Sequence, residues 1–250
     1  MDLAGKRVIV TGASSGIGAA AARLFAAHGA RLVLGARRRA RIEGLAEEIR
    51  RAGGQAIAIA GDVREEAYAV ALVKGAVEAF GGLDAAFNNA GILGATGPVA
   101  TMTGEAWREV LETNLNAAFF AARHQIPAMR ARSGGSLVFT GSFVGHTIGL
   151  PGMGAYAAAK AGIVGLVQVL AVEHGRDGRR VNALLPGGTR TPMAGADPEH
   201  LAHVSRLHAL KRMAEPEEIA EAALFLLSDR ASFVTGTALI ADGGNSIHKP

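Results

Sequence analysis

Short runs of apolar, often β-branched residues alternate along this chain with longer segments whose apolar positions recur every three or four residues. The first kind predicts buried strands, the second amphipathic helices. Arg7–Val10, Arg31–Gly35, Ala56–Ala60, Leu83–Phe87, Ser136–Thr140, Val181–Leu185 and Ala238–Ala241 read as strands. Between them the pattern predicts an Ala-rich helix ending near His28 and a second over Arg41–Ala52, with Ile42, Leu45 and Ile49 on one face. Further helices are expected over Glu65–Phe80, from about Glu105 to Arg130 with a bend near Pro127, from about Gly154 to His174, and over Glu217–Leu227. Residues 187–213 read as a polar loop with short helices, placed to act as a substrate lid. Strands alternating with helices, without linker or repeat, predict one α/β domain over residues 1–250. Its core is a doubly wound parallel sheet of about seven strands with helices on both faces and right-handed crossovers. Such sheets bind ligands in the crevice beyond the strand C-termini.

Composition narrows the class. The 250 residues are 49% hydrophobic and include no cysteine, which excludes a disulfide framework, a thiolate metal site and a thiol nucleophile. Met1–Lys6 has no apolar signal-peptide core, and no uncharged apolar run reaches bilayer length, so a soluble cytoplasmic protein is expected. The net charge of +4 comes from basic residues scattered among acids, with no aromatic-interleaved stripe, which argues against a nucleic-acid partner. One basic cluster stands out, Arg37-Arg38-Arg39-Ala40-Arg41, where a strand gives way to a helix.

The first strand runs into Thr11-Gly12-Ala13-Ser14-Ser15-Gly16-Ile17-Gly18 and then a helix. Strand, glycine turn and helix together make a phosphate site: glycines admit the pyrophosphate, and the helix N-terminus offers free N–H groups and partial positive charge. An ordinary tight β–α turn needs neither three glycines nor the Thr-Gly start. Roughly twenty residues on, dinucleotide folds that take an unphosphorylated ribose carry an acidic residue. Ala36 and then Arg37 stand there instead, with Arg38 beside them. Guanidinium groups at that place suit a 2′-phosphate; the alternative is that Arg37 merely opens a solvated helix.

Tyr156 and Lys160 lie four residues apart in the predicted long helix, hence on one face. A phenol ionises near pH ~10 in water. A neighbouring ammonium is expected to lower that value and suit the phenol to acid–base work.

Thr11 to Gly18, Asn88-Asn89-Ala90-Gly91, Asn114, Ser142, Tyr156, Lys160, Pro186-Gly187 and the closing Asp242-Gly243-Gly244 occur in the order and spacing of the short-chain dehydrogenase/reductase family. The resemblance covers essentially the whole chain and includes members such as 3-oxoacyl-carrier-protein reductases. It implies a Rossmann-like fold, an NADP(H) cofactor with NAD(H) as the alternative, and hydride exchange with a ketone or secondary alcohol. Tyr156 would be the general acid–base, and Ser142 would polarise the carbonyl. Lys160 would hold the nicotinamide ribose, and Asn114 would hold a water in the proton relay. Gly12, Ser14, Ser15, Gly16, Ile17 and Gly18 would cradle the diphosphate, with Arg37 and Arg38 at the ribose phosphate. Asp62 and Val63 would meet the adenine, while Asn89, Ala90 and Gly91 would line its ribose. Pro186, Gly187, Thr189 and Thr191 would bracket the nicotinamide. Asn88 is read either as a brace or as a cofactor contact. Ser142 precedes Tyr156 by fourteen residues, about one more than the family's commonest spacing, which implies a small insertion near Gly149–Gly152.

The resemblance reaches equally to sugar and steroid dehydrogenases and broad ketone reductases. An apolar pocket walled by Phe143, Val144, Leu150, Met153 and the segment from Met193 to about Leu210 is expected. His146 either reaches the substrate or bonds to its own loop. Arg130, Arg132 and Arg190 are candidates for meeting an acidic carrier protein. His200, His203 and His208 read as a solvated helix face, and no metal is implied. The family also implies a homotetramer built on the two long helices and the last strand. Two rival readings are an NAD-dependent alcohol or polyol dehydrogenase and a non-catalytic NADP(H)-binding protein.

Overall fold

The apolar runs become strands covered by helices on both sides, as an all-parallel sheet requires. The computed structural model describes residues 1–130 and 134–248. The strands are β1 (Arg7–Thr11), β2 (Arg31–Ala36), β3 (Gln55–Ala60), β4 (Ala85–Asn88), β5 (Gly135–Thr140), β6 (Arg179–Pro186) and β7 (Ala238–Ala241). They form a single sheet in the order β3-β2-β1-β4-β5-β6-β7, with every neighbouring pair parallel. The chain starts at the middle, runs outward to β3, then crosses back over β1 to build the other half. The strand order therefore reverses between β1 and β4, and the ligand crevice opens at their C-terminal ends.

Among the described residues, eight α-helices accompany the sheet: α1 (Gly16–Ala27), α2 (Arg39–Arg51), α3 (Glu66–Phe80), α4 (Gly104–Leu111), α5 (Ala117–Arg130), α6 (Gly154–His174), α7 (Pro198–Leu207) and α8 (Pro216–Leu227). One face of the sheet buries Phe25 of α1, Ile42 and Leu45 of α2 and Leu224 of α8. The other buries Leu72 of α3, Met129 of α5, and Ile163 and Val167 of α6. Among the described residues, α6 is the one helix long and apolar enough to cross a membrane, although Lys160 and Glu173 interrupt its apolar run. It lies instead along the sheet, its apolar face packed on β6 and its Lys160 buried.

Two expectations need correction. The predicted long helix is not continuous, and Pro127 sits inside its second part, α5. The interruption comes earlier, at Glu112–Asn116, where the chain makes a π-turn and Ala117 N–H bonds back five residues to Glu112 O. β4 begins at Ala85, because Asp84 turns to a buried partner: its Oδ2 accepts from Arg7 Nε at 2.6 Å. Of the arginines proposed to meet a carrier protein, Arg132 lies outside the described residues, and Arg190 pairs with Glu215 at 3.2 Å.

Candidate active site

The turn after β1 is shaped by its neighbours. Thr11 Oγ1 accepts the N–H groups of Asn89 (3.0 Å) and Ala90 (3.2 Å), tying the turn to the segment after β4. Gly12 and Gly16 have φ of +70° and +53°, which side chains rarely adopt. Gly18 is required for another reason: a Cβ there would collide with the Gly12 carbonyl and stand 2.8 Å from Asn89 Nδ2. The first turn of α1 holds no acidic residue and Ser15 makes no side-chain cap, so its free N–H groups suit an anion. Ile17 is half-buried and packs its side chain against the core on the α1 side of the sheet. A Cβ on Gly16 would lie 2.9 Å from Thr191 Cγ2, so the segment after β6 packs directly against this turn. That cradle fits a nicotinamide dinucleotide.

At its outer end, Arg38 rather than Arg37 engages the turn. The Arg38 guanidinium donates to Ser14 Oγ (2.7 and 3.1 Å) and Ser15 Oγ (2.7 Å). Arg37 is exposed and, with Arg64, adds positive charge that holds the Asp62 carboxyl below its usual range, the Arg64 hydrogen bonds being the main cause. Val63 packs its side chain against the α3–α5 core. Asn88 exchanges two amide hydrogen bonds with Gln125 (2.8 and 2.9 Å), so it braces α5.

The four catalytic candidates converge at the C-terminal end of β5. Ser142 is buried, its Oγ accepting Val144 N–H at 3.1 Å and hydrogen-bonded to the Tyr156 hydroxyl. Lys160 Nζ donates to the Thr140 carbonyl at 2.7 Å and stands 5.6 Å from the Tyr156 ring centroid. Asn114 occupies the π-turn. Its Nδ2 donates to Val110 O (2.9 Å) and Ile92 O (3.0 Å), and its Oδ1 accepts Ile92 N–H (3.2 Å). A Cβ on Gly91 would meet Asn114 Oδ1 at 2.6 Å and Lys160 Nζ at 3.4 Å, which shows how closely these groups gather.

The phenol departs from expectation. Burial pushes Tyr156 above its ordinary value, and the bond to Ser142 only partly offsets that. The ammonium faces the ring rather than the hydroxyl, so in this structure it does not lower the phenol. Lys160 itself is pushed down to about 8 by burial. From there up to the ordinary value of 10.5, the unfolded chain binds a proton that the folded chain has released, so stability rises with pH across that window. Below about pH 8 both states are protonated and the penalty is fully present. The stability of wild type relative to Lys160→Met should therefore rise by about 2–3 kcal/mol between pH ~7 and ~10. Urea unfolding of both proteins at the two pH values checks this; a flat difference would contradict it.

Pro186 ends β6, and a Cβ on Gly187 would fall 2.6 Å from Asp242 Cα, so the two segments touch. The Thr189 hydroxyl donates to Gly187 O at 3.0 Å. Phe143 and Val144 are buried, Met153 is half-buried, and Met193 and His146 are exposed. His200 and His203 are exposed as expected, but His208 is not part of a solvated face: it is 1% exposed and bonded to Gly188. The reading missed Thr11 and Thr140, whose signal was their position at strand C-terminal ends. It also missed His208, which carried no signal because its partners are backbone groups distant in sequence.

Residues 12–246 match the family model described as enoyl-(acyl carrier protein) reductase. The chain is 43% identical to 2,5-dichloro-2,5-cyclohexadiene-1,4-diol dehydrogenase of Sphingobium indicum, over 97% of this chain and 98% of that protein. It is 40% identical to cyclohexanol dehydrogenase of an Acinetobacter species, over 95% and 94%. A short-chain type dehydrogenase/reductase from Mycobacterium marinum has the same fold, with a TM-score of 0.94 at 33% identity over 99% and 98% of the two chains. With likeness of this degree running from end to end, the chain belongs to the short-chain dehydrogenase/reductase family.

Proposed function

We propose that this oxidoreductase interconverts a secondary alcohol and a ketone with NADP(H), acting on a six-membered carbocyclic substrate. The observation that carries the reaction is the Tyr156 hydroxyl bonded to Ser142 beside the buried Lys160, across the crevice from the glycine turn. A bound nicotinamide supplies or accepts the hydride. Ser142 orients the substrate oxygen. Tyr156 gives that oxygen a proton during reduction and takes one during oxidation. A phenol kept protonated by burial is ready for the first role. Lys160 is available to ribose hydroxyls once its ammonium turns from the Thr140 carbonyl, and Asn114 fixes the Ile92 backbone beside it.

The phosphate preference rests on two features. Ala36 ends β2 where a carboxylate would select a free ribose, and Arg38 already stands on Ser14 and Ser15. The substrate class rests on the ring alcohols named for both relatives and on the apolar Phe143, Val144, Leu150 and Met153. Exposed Phe119 on α5 and Val169 and Val172 on α6 support assembly of a homo-oligomer through the two long helices.

The test is turnover of cyclohexanone with NADPH against NADH. Arg37→Ala/Arg38→Ala should lower kcat/KM for NADPH about 50-fold and leave NADH within about threefold. Turnover of wild type with NADH alone would overturn the phosphate argument and favour the NAD-dependent dehydrogenase.

A further inference from the structure

His208 follows the last residue of α7, almost wholly buried, with its two ring nitrogens committed to different segments. Nε2 lies 3.0 Å from the Gly188 N–H, and Nδ1 lies 2.8 Å from the Val204 carbonyl. A backbone N–H can only donate and a carbonyl can only accept. The ring is therefore a neutral imidazole with its proton on Nδ1 and a lone pair on Nε2.

Packing around the ring is equally specific. A Cβ on Gly188 would meet His208 Cε1 at 2.8 Å and Val204 Cγ1 at 2.7 Å. On the opposite side a Cβ on Gly243 would stand 3.4 Å from His208 Cδ2. Asn245 Nδ2 reaches Nε2 only at 3.5 Å, while the Asp242 carboxylate is taken up by the Gly244 and Ser246 N–H groups (2.9 and 2.7 Å). The imidazole thus sits where three stretches of chain meet: the segment after β6, the end of α7, and the turn after β7.

The first of these is the segment expected to bracket the nicotinamide. Gly188 lies between Gly187, which abuts Asp242, and Thr189, whose hydroxyl closes on Gly187 O. Three residues beyond Gly188, Thr191 abuts Gly16 of the glycine turn. Gly188 O in turn accepts Ala214 N–H at 2.9 Å, so its backbone is held from both sides.

We propose that His208 is a positioning residue, which clamps the base of helix α7 to Gly188 and so fixes the nicotinamide-side wall of the crevice. This rests on the dinucleotide reading above. Removing the acceptor on Nε2 frees Gly188 and the segment that carries Thr189 and Thr191. The glycine turn keeps its ties to the segment after β4, and Arg38 keeps its contacts with Ser14 and Ser15.

The experiment measures binding of NADPH and of 2′-phospho-ADP-ribose, which lacks the nicotinamide, to the full-length chain. His208→Leu should weaken NADPH about tenfold and change 2′-phospho-ADP-ribose by no more than about twofold. His208→Gln, whose Oε1 can take the Nε2 position, should restore NADPH to within about threefold of wild type. Equal loss of both ligands, or no loss of either, overturns the proposal. If the Leu variant does not fold, Gln is compared with His208→Asn, whose shorter amide cannot reach Gly188; Gln as weak as Asn for NADPH overturns it. A wild type that binds NADH instead is tested with NADH and ADP-ribose. Should wild type bind no dinucleotide, the functional reading falls. Tryptic cleavage at Arg206 in α7 then decides the clamp: cleavage about tenfold faster in Asn than in Gln supports it, and equal rates overturn it.

Discussion

Tyr156→Phe should lower turnover about 10³-fold or more, with dinucleotide affinity within about threefold of wild type. The substitution removes one oxygen and leaves the ring against Lys160. The ammonium keeps its acceptor at Thr140 O, 2.7 Å away, and Ser142 keeps the Val144 N–H. What disappears is the hydroxyl proposed to exchange a proton with the substrate oxygen. Steady-state rates with dinucleotide and cyclohexanone, read beside a binding titration, separate the two effects. Unchanged turnover would refute the assignment of Tyr156, and lost binding would mean that the hydroxyl organises the crevice.

Gly18→Ala is expected to be the most damaging small substitution. Alanine ordinarily favours a helix over glycine by roughly 1 kcal/mol. Here that gain is overwhelmed, because the added methyl collides with the Gly12 carbonyl and lies 2.8 Å from Asn89 Nδ2. Neither neighbour is a flexible chain end: Gly12 is backbone in a positive-φ turn, and Asn89 is tied by its N–H to Thr11. Relief requires α1 to back away from the turn, at a cost of about 3 kcal/mol. Thermal unfolding should fall by about 6–12 °C, and dinucleotide binding should weaken with it. Gly44, where a Cβ meets nothing within 4 Å, is the control: Gly44→Ala should leave both unchanged or raise stability slightly.

The architecture was legible because each strand is a compact apolar run and each helix keeps its period. All seven strands, their parallel sheet and the family followed from that pattern and the motifs. Boundaries moved where a single side chain had a distant partner, as Asp84 does with Arg7. The proposed catalytic pair was legible as a spacing but not as an electrostatic arrangement. Four residues along a helix put Tyr156 and Lys160 on one face, yet whether the ammonium meets the ring or the hydroxyl depends on Thr140, from another strand. Arg38 was named together with Arg37, and only the fold distinguishes the one resting on Ser14 and Ser15. His208 was misread because its burial depends on Gly188 and Gly243, two segments distant in sequence that meet it at the end of α7.

The π-turn at Glu112–Asn116 also bears on how this protein tolerates changes in length. A π-turn amounts to one residue more than a regular helix would use, and each residue turns a helix by about 100°. The turn absorbs that surplus residue, so Ala118, Ala121, Ala122 and Met129 of α5 keep their place on the sheet. Loss of one residue from 112 to 116 would let the helix run on regularly with the same side chains still facing the core. The same loss would move the Asn114 amide off Ile92. The surplus residue therefore serves the position of Asn114 and not the packing of the helix, and a single-residue deletion here should spare the fold while disturbing the site.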